Sequence, residues 1–321
     1  MTTNLPSSNA VELPQWGLIR ARGADAASFL HGQLTQDVLH LGPAEARLAG
    51  YCSAKGRLLA SFVMWKPNAQ EVLLACHASV LAATLKRLSM FVMRAQCQLS
   101  DATADVQLLG LTGQAALEAT EGLPPWGRSE ATGVSCIRLP DASGIARAWR
   151  VSERVGGHAL QVLPDATALQ HWQQLEVETG IPVIEAATVD QFVPQMLNFE
   201  LIGAVNFQKG CYPGQEVVAR SQYRATAKRR AFLFSCDASP EAGQEVFHSA
   251  DAGQPAGRVV HAAERPSAAG ASSFVALVEV KLSALGAGSL HLGAADGGLL
   301  TRLPMPYDVP TAVDGETGAA A

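Results

Sequence analysis

Downstream of residue 230 the chain breaks into six short apolar runs, at 232–236, 245–248, 257–262, 274–280, 289–292 and 299–303, separated by Gly, Pro, Ser and Asp. None carries a convincing helical period, so they predict strands. Six short strands in sequence predict a small β-barrel, the closure that removes unpaired sheet edges. Upstream, hairpin-spaced strands are interrupted by single helices rather than alternating strictly with them, which argues for α+β lobes over a doubly wound parallel sheet.

Strands are expected at 16–20, 48–52, 57–65, 71–76 and 93–99. One helix follows Asp25 as N-cap, with Ala26, Phe29, Leu30 and Leu34 on one face, and a second runs from Ser79 with Leu81, Leu85 and Leu88 inward. A second lobe is expected from strands at 105–111, 134–139, 145–150 and 158–162, with a loop at 121–127 and a helix capped by Asp165. The predicted organisation is two α+β lobes at about 11–104 and 105–230, a barrel at 231–310 and a flexible tail at 311–321.

Of the 321 residues, 48% are apolar and 17% charged. That composition excludes wholesale disorder and allows roughly 75% of the unfolded surface to be buried. A net charge of -5 argues against general nucleic-acid coating and leaves a local basic patch open. No apolar run approaches the roughly 18 residues of a membrane helix and the N-terminus lacks a leader pattern, so a cytoplasmic protein is expected. Six scattered cysteines without C-x-x-C, and eight histidines without metal-site spacing, give no metal site.

The most informative segment is Asn206-Phe207-Gln208-Lys209-Gly210-Cys211-Tyr212-Pro213-Gly214-Gln215-Glu216-Val217-Val218-Ala219-Arg220. Two glycines and a proline shape a tight turn around Cys211, and Lys209 supplies a neighbouring cation. A free thiol titrates near 8.5, and nearby positive charge favours the thiolate needed for nucleophilic or ligand chemistry. The alternative is a small buried cysteine in a turn. Next come Arg220, Arg224, Lys228, Arg229 and Arg230, either a surface for a polyanion or a solvated hairpin protecting an edge strand.

Collinear matches extend across the chain. Phe29-Leu30-His31-Gly32-Gln33-Leu34-Thr35 with Asp37, Lys55-Gly56-Arg57, Glu178-Thr179-Gly180-Ile181-Pro182, Phe192 to Asn198, the cysteine motif and Leu303-Pro304-Met305-Pro306-Tyr307 together resemble the YgfZ-type folate-binding proteins. These are relatives of the aminomethyltransferase, or T-protein, of the glycine cleavage system. The resemblance implies a three-lobed T-protein-like ring with a central folate site and a C-terminal barrel. It implies Cys211 as the functional thiol, assisted by Lys209, with Gly210, Tyr212, Gly214, Gln215, Glu216 and Arg220 as motif support. Trp16, Trp172 and Glu178 take the folate-facing positions; a carboxylate accepts paired hydrogen bonds from a pterin. Trp172 also has the spacing of an ordinary helical core residue.

One departure bears on activity. Where true aminomethyltransferases carry an acidic pair, this chain has Ala60-Ser61, and neither can move a proton as a carboxylate does. The implied function is therefore a tetrahydrofolate-binding accessory protein for synthesis or repair of iron-sulfur clusters in client enzymes, including radical enzymes that modify tRNA. The alternative is a folate-dependent aminomethyltransferase or demethylase. A single motif thiol, against the four ligands of a stable cluster site, makes any cluster contact transient or shared. Direct tRNA binding through the basic stretch ranks last, because only Tyr212 and Tyr223 are available for base stacking.

Overall fold

A computed structural model describes residues 10–155, 158–223, 227–266 and 273–311. Residues 1–9 and 312–321 of the expected tails, and Arg224 of the basic stretch, lie outside the described residues.

The chain opens with β1 (Ala10–Glu12), β2 (Trp16–Arg22), α1 (Ala26–His31), β3 (Ala46–Cys52), β4 (Leu58–Asn68), β5 (Glu71–His77), α2 (Ala78–Ser89) and β6 (Gln98–Asp101). It continues with β7 (Val106–Thr112), α3 (Gly113–Ala119), β8 (Arg128–Ala131), β9 (Val134–Ala142), β10 (Ile145–Glu153), α4 (Ala166–Glu178) and α5 (Gln215–Tyr223). The last part is β11 (Arg229–Cys236), β12 (Glu245–His248), β13 (Gly257–Arg265), β14 (Ser273–Lys281), β15 (Leu290–Leu292) and β16 (Leu299–Arg302).

Three β layers result. Two are five-stranded sheets, ordered β3-β4-β5-β2-β6 and β1-β7-β10-β9-β8, and the third is a closed barrel ordered β11-β14-β13-β12-β15-β16. The α+β class and the barrel are as expected. The first strand crosses over to the second sheet, where Ala10 pairs with Leu111 and Val11 with Gly110.

The largest core joins all three layers: Trp65 from the first sheet, Trp149 from the second, Trp172 from α4, and Leu233 and Val260 from the barrel are buried in one cluster. Trp149 holds Trp16 and Trp65 edge-on, with ring centroids 5.0 and 6.4 Å away. Each such aromatic buries on the order of 150–250 Å2, so the tryptophans dominate the seam between the lobes.

Several local expectations are corrected. Asp25 makes no side-chain cap; its Oδ2 accepts from the Gln96 backbone N at 2.7 Å, and α1 ends at His31 with Leu34 buried just beyond it. Of the expected strand at 93–99 only 98 and 99 pair, in β6 (Gln98–Asp101), and Met90, Phe91 and Met93 before it are exposed. Residues 158–162 form no strand, because the Gln107 side chain satisfies the Leu160 backbone, donating to its carbonyl at 2.8 Å and accepting from its N–H at 2.8 Å. Asp165 caps α4 as expected, accepting from the Ala168 backbone N at 2.9 Å.

The basic stretch is no edge hairpin. Residues 215–223 are helical, and β11 lies within the closed barrel between β14 and β16. Arg229 pairs with Glu279 and Arg230 with Glu200, so two of these cations are neutralised internally.

Candidate functional site

Where the three layers meet, two adjoining cavities share Trp16, Glu176 and Val183. The first is an apolar cleft whose walls include Trp16, Phe62, Trp126 and Trp149, with Arg147 and Glu176 as its charged groups. Arg147 is completely buried, and that burial lowers its guanidinium to about 10, still charged at neutral pH. Trp126 stands at φ 67°, a left-handed conformation that a bulky residue adopts only when its surroundings hold it there. Its N–H donates to the Arg138 carbonyl at 2.7 Å.

The second cavity is a polar chamber lined by Gln15, His77, Glu176, Glu185 and His261 among others. Gln15 Oε1 and His261 Nε2 are buried there without partners among the described residues. Burial, then the nearby His77, lowers His261 to about 3, so its ring is neutral. Burial raises the Glu185 carboxyl to about 7.

The residues expected to face a ligand divide. Trp16 lines both cavities, and its Nε1 donates to Glu176 Oε1 at 2.7 Å. Trp172 lines neither. It is fully buried against Gly110, where an added Cβ would meet its ring at 2.6 Å, and the Arg147 guanidinium lies 4.6 Å from its ring centroid.

Glu178 also lines neither cavity. It is a junction between layers: its carboxylate accepts from Ser143 Oγ, from Gln174 Nε2 at 2.9 Å and from Arg265 Nη2 at 3.0 Å. The carboxylate shared by the two cavities is Glu176, two residues earlier on α4 and therefore on another face of the helix. Gln15 Nε2 donates to it at 3.0 Å. Sequence reasoning missed Glu176, although its i+4 spacing from Trp172 was visible. It also missed Trp126 and His261, which no linear motif marks.

The cysteine motif forms a separate site, and none of residues 209–220 lines the cleft or the chamber. Asn206 Oδ1 accepts from the backbone N–H groups of Gln208 and Lys209, at 2.8 and 3.1 Å, turning the chain before the cysteine. Gly214 lies at φ 79°, where an added Cβ would come within 2.4 Å of the Ser53 carbonyl and 2.7 Å of Gly56. The two glycines thus allow the β3–β4 turn to abut the start of α5.

Cys211 is exposed, as its reading as a working thiol requires. Lys209 is buried: its Nζ donates to the His31 carbonyl and, at 2.7 Å, to the Leu34 carbonyl, and stands 4.9 Å from the Tyr212 ring centroid. Burial lowers this ammonium to about 8, opposed by Asp37 and Cys211. Tyr212 is buried, Gly210 is exposed, Gln215 opens α5, and Arg220 pairs with Glu216 at 2.8 Å on the helix surface.

Ser61, at the position of the expected acidic pair, lines the cleft, and its Oγ accepts from the Ile184 backbone N at 2.9 Å. Ala60 is buried. Among the described residues no group of three or more His, Cys, Asp or Glu side chains is placed to hold a metal, and no helix is long and apolar enough to cross a membrane.

Comparison with known proteins places this arrangement. No family model matches the sequence. The fold is similar to that of the glycine cleavage system aminomethyltransferase T from Bartonella henselae, with a TM-score of 0.69 at 16% identity over 94% of this chain and 86% of that one. In sequence the chain is 31% identical to the tRNA-modifying protein YgfZ of Aliivibrio fischeri, over 76% of this chain and 77% of that protein. It is 30% identical to the YgfZ protein of Klebsiella pneumoniae, over 75% of this chain and 78% of that one. On that similarity, carried by a T-protein-like fold, the chain belongs to the YgfZ family.

Proposed function

We propose that this protein binds tetrahydrofolate or a one-carbon derivative of it, and supports the synthesis or repair of iron-sulfur clusters in client enzymes, tRNA-modifying radical enzymes among them. Cys211 is the working thiol in this reading, and the place of action is the cytoplasm. The observation that carries the folate part is the tryptophan-walled cleft adjoining a chamber where Gln15 Oε1 and His261 Nε2 lack partners among the described residues.

The donor set fits a reduced folate. A flat heterocycle suits walls made of Trp16, Phe62 and Trp126, and its N–H edge suits Glu176 and Gln15 Oε1, a buried acceptor that otherwise stays unpaired at a cost of about 1–3 kcal/mol. When bound, folate supplies a carrier for one-carbon units. Glu176 and Trp16 bind and orient it, the apolar wall excludes water, and the Arg147 guanidinium stands 4.0 Å from the Glu176 carboxylate. Cys211 acts outside the cleft, on the client side. The YgfZ relatives bear tRNA-modifying names, which supports clients in that class. The alternative, aminomethyl transfer or demethylation, lacks an acid at the matching place on β4, where Ala60 and Ser61 stand.

Titration with tetrahydrofolate, followed by tryptophan fluorescence, tests the folate reading. Saturable quenching is expected, and Glu176→Gln should weaken binding by about 1–3 kcal/mol. No quenching in the wild-type protein, or unchanged affinity in the variant, would count against it.

A further inference from the structure

The two motifs singled out in the sequence, His31 to Asp37 and Lys209 to Gly214, are packed together. Thr35 Oγ1 donates to the Ala204 carbonyl at 2.7 Å, the Asn206 N–H donates to the Thr35 carbonyl at 2.9 Å, and Lys209 Nζ reaches the carbonyls of His31 and Leu34. At the surface of this seam, His31 Nε2 lies 3.6 Å from where a Cβ on Gly210 would sit. Cys211 is the next residue and is exposed.

The other side of the His31 ring is held by a carboxylate. Its Nδ1 is buried, makes no linear hydrogen bond, and stands 3.1 Å from Asp37 Oδ1. Asp37 Oδ2 lies 2.7 Å from His40 Nδ1, and Oδ1 accepts from the His40 backbone N at 3.1 Å. Burial works to raise the Asp37 carboxyl, and the His40 contacts with the charge of His31 overcome it, holding the group down to about 2. Asp37 is therefore ionised at every pH of interest. Burial, then the Lys209 charge, lowers His31 below its ordinary value, which leaves a neutral imidazole at neutral pH. Beside a permanent carboxylate the Nδ1 proton is the favoured tautomer, assigned from that neighbour, which leaves the Nε2 lone pair on the side near Gly210.

We propose that His31 is the proton acceptor for the Cys211 thiol and that Asp37 is its positioning residue. This is the order of nucleophile, base and orienting acid that activates thiols and hydroxyls in unrelated folds. It rests on the reading of Cys211 as a working thiol. The substrate class is a soft electrophile brought by a partner: a disulfide, an electrophilic carbon, or a thiophilic metal centre. No hydrogen bond joins thiol and imidazole in the resting structure, and the thiol has to reach Nε2 during reaction, as catalytic contacts often tighten only then. With iodoacetamide as the electrophile, the thiol proton passes to His31 Nε2, the sulfur lone pair forms the new S–C bond, and iodide leaves with the C–I electron pair.

The test is the rate of Cys211 alkylation by iodoacetamide, read by mass spectrometry on the full chain between about pH 5.5 and 9.5, a range that brackets ordinary histidine and thiol titration. At neutral pH, His31→Gln is expected to slow Cys211 about tenfold or more, since each pH unit by which the curve shifts changes the thiolate fraction about tenfold. Asp37→Asn should shift the rate-against-pH curve in the same direction by less. The Lys209 contact is to the His31 backbone, so the Gln variant keeps it. Should that variant misfold, the proton resonance of the His31 ring in the otherwise intact Cys211→Ser protein gives a second reading, because its titration should move when the thiol is removed. Fast alkylation of Cys211 with the same pH curve in all three proteins, or a His31 titration indifferent to Cys211→Ser, would overturn the assignment while leaving the thiol itself intact. Cys211 reacting no faster than the other cysteines in the wild-type protein would instead overturn the working-thiol reading beneath it.

Discussion

Glu176 and Glu178 are two positions apart on α4 and meet different surroundings. Glu176 lines both cavities, whereas Glu178 gathers Ser143, Gln174 and Arg265 at the seam with the barrel. Glu178→Gln should therefore lower the melting temperature, leaving Arg265 without its ion-pair partner, while changing folate affinity less than Glu176→Gln does. Differential scanning fluorimetry beside the folate titration separates the two. A second residue-scale test concerns Glu185. Its carboxyl is raised to about 7 in the folded protein against 4.5 ordinarily, so between those values the folded state holds a proton that the unfolded chain has lost. Stability contributed at this position is thus present at acid pH and is lost as pH rises through 7. Glu185→Gln should match the wild-type protein near pH 4 and exceed it by about 1–2 kcal/mol near pH 8, allowing for partial solvent contact. Equal differences at both pH values would refute the assignment. The resemblance gave Trp16 a ligand-facing position, and Trp16 lines both cavities; the sequence left Cys211 open between a working and a buried thiol, and the structure exposes it. The choice of the inward-facing carboxylate was not legible, because the match to a linear motif fixes a position on the helix and not the direction of its side chain.

At the scale of elements, the strands and α2 were readable because buried side chains repeat with the period of the element: Val80, Leu81, Thr84 and Leu88 line one face of α2. Helix α5 was not readable. Only Val218 is buried along its nine residues, so no apolar period exists, and what holds it is the packing of its first turn on the β3–β4 turn. The run at 158–162 failed for the opposite reason: its backbone finds a side chain, Gln107, in place of a neighbouring strand. Gly214 is the position on which α5 depends most, because its positive φ and 2.4 Å approach to the Ser53 carbonyl leave no room for a methyl group. Gly214→Ala should cost about 1–3 kcal/mol, measured by urea denaturation, and should alter Cys211 alkylation as the turn shifts. A variant as stable as the wild-type protein would mean that the two turns do not need this contact.

At the scale of the molecule, the barrel is tied to the lobes by specific polar groups as well as by the common core. Arg230 donates to the Gln195 carbonyl at 2.9 Å and pairs with Glu200, and Tyr307 Oη donates to the Gly180 carbonyl at 2.7 Å. Burial raises the Glu200 carboxyl, with Arg230 opposing, so removing the arginine leaves an expensive buried acid. Arg230→Ala should destabilise the protein by about 3–5 kcal/mol, and Arg230→Ala with Glu200→Leu should recover much of that, as measured by thermal unfolding. The barrel itself was legible from six short strands, whereas the seam that builds the cavities was not, since it joins side chains distant in sequence, Trp16 with Glu176 for one.

The most direct measurement of the functional claim is rescue in bacterial cells whose own YgfZ gene has been deleted. Iron-sulfur client activity is read as the level of a radical-enzyme modification in total tRNA. The wild-type chain should restore that level, Cys211→Ala should fail to restore it while retaining fold and folate affinity, and Glu176→Gln should restore it only in part. Full rescue by Cys211→Ala would contradict the assignment of Cys211 as the working thiol.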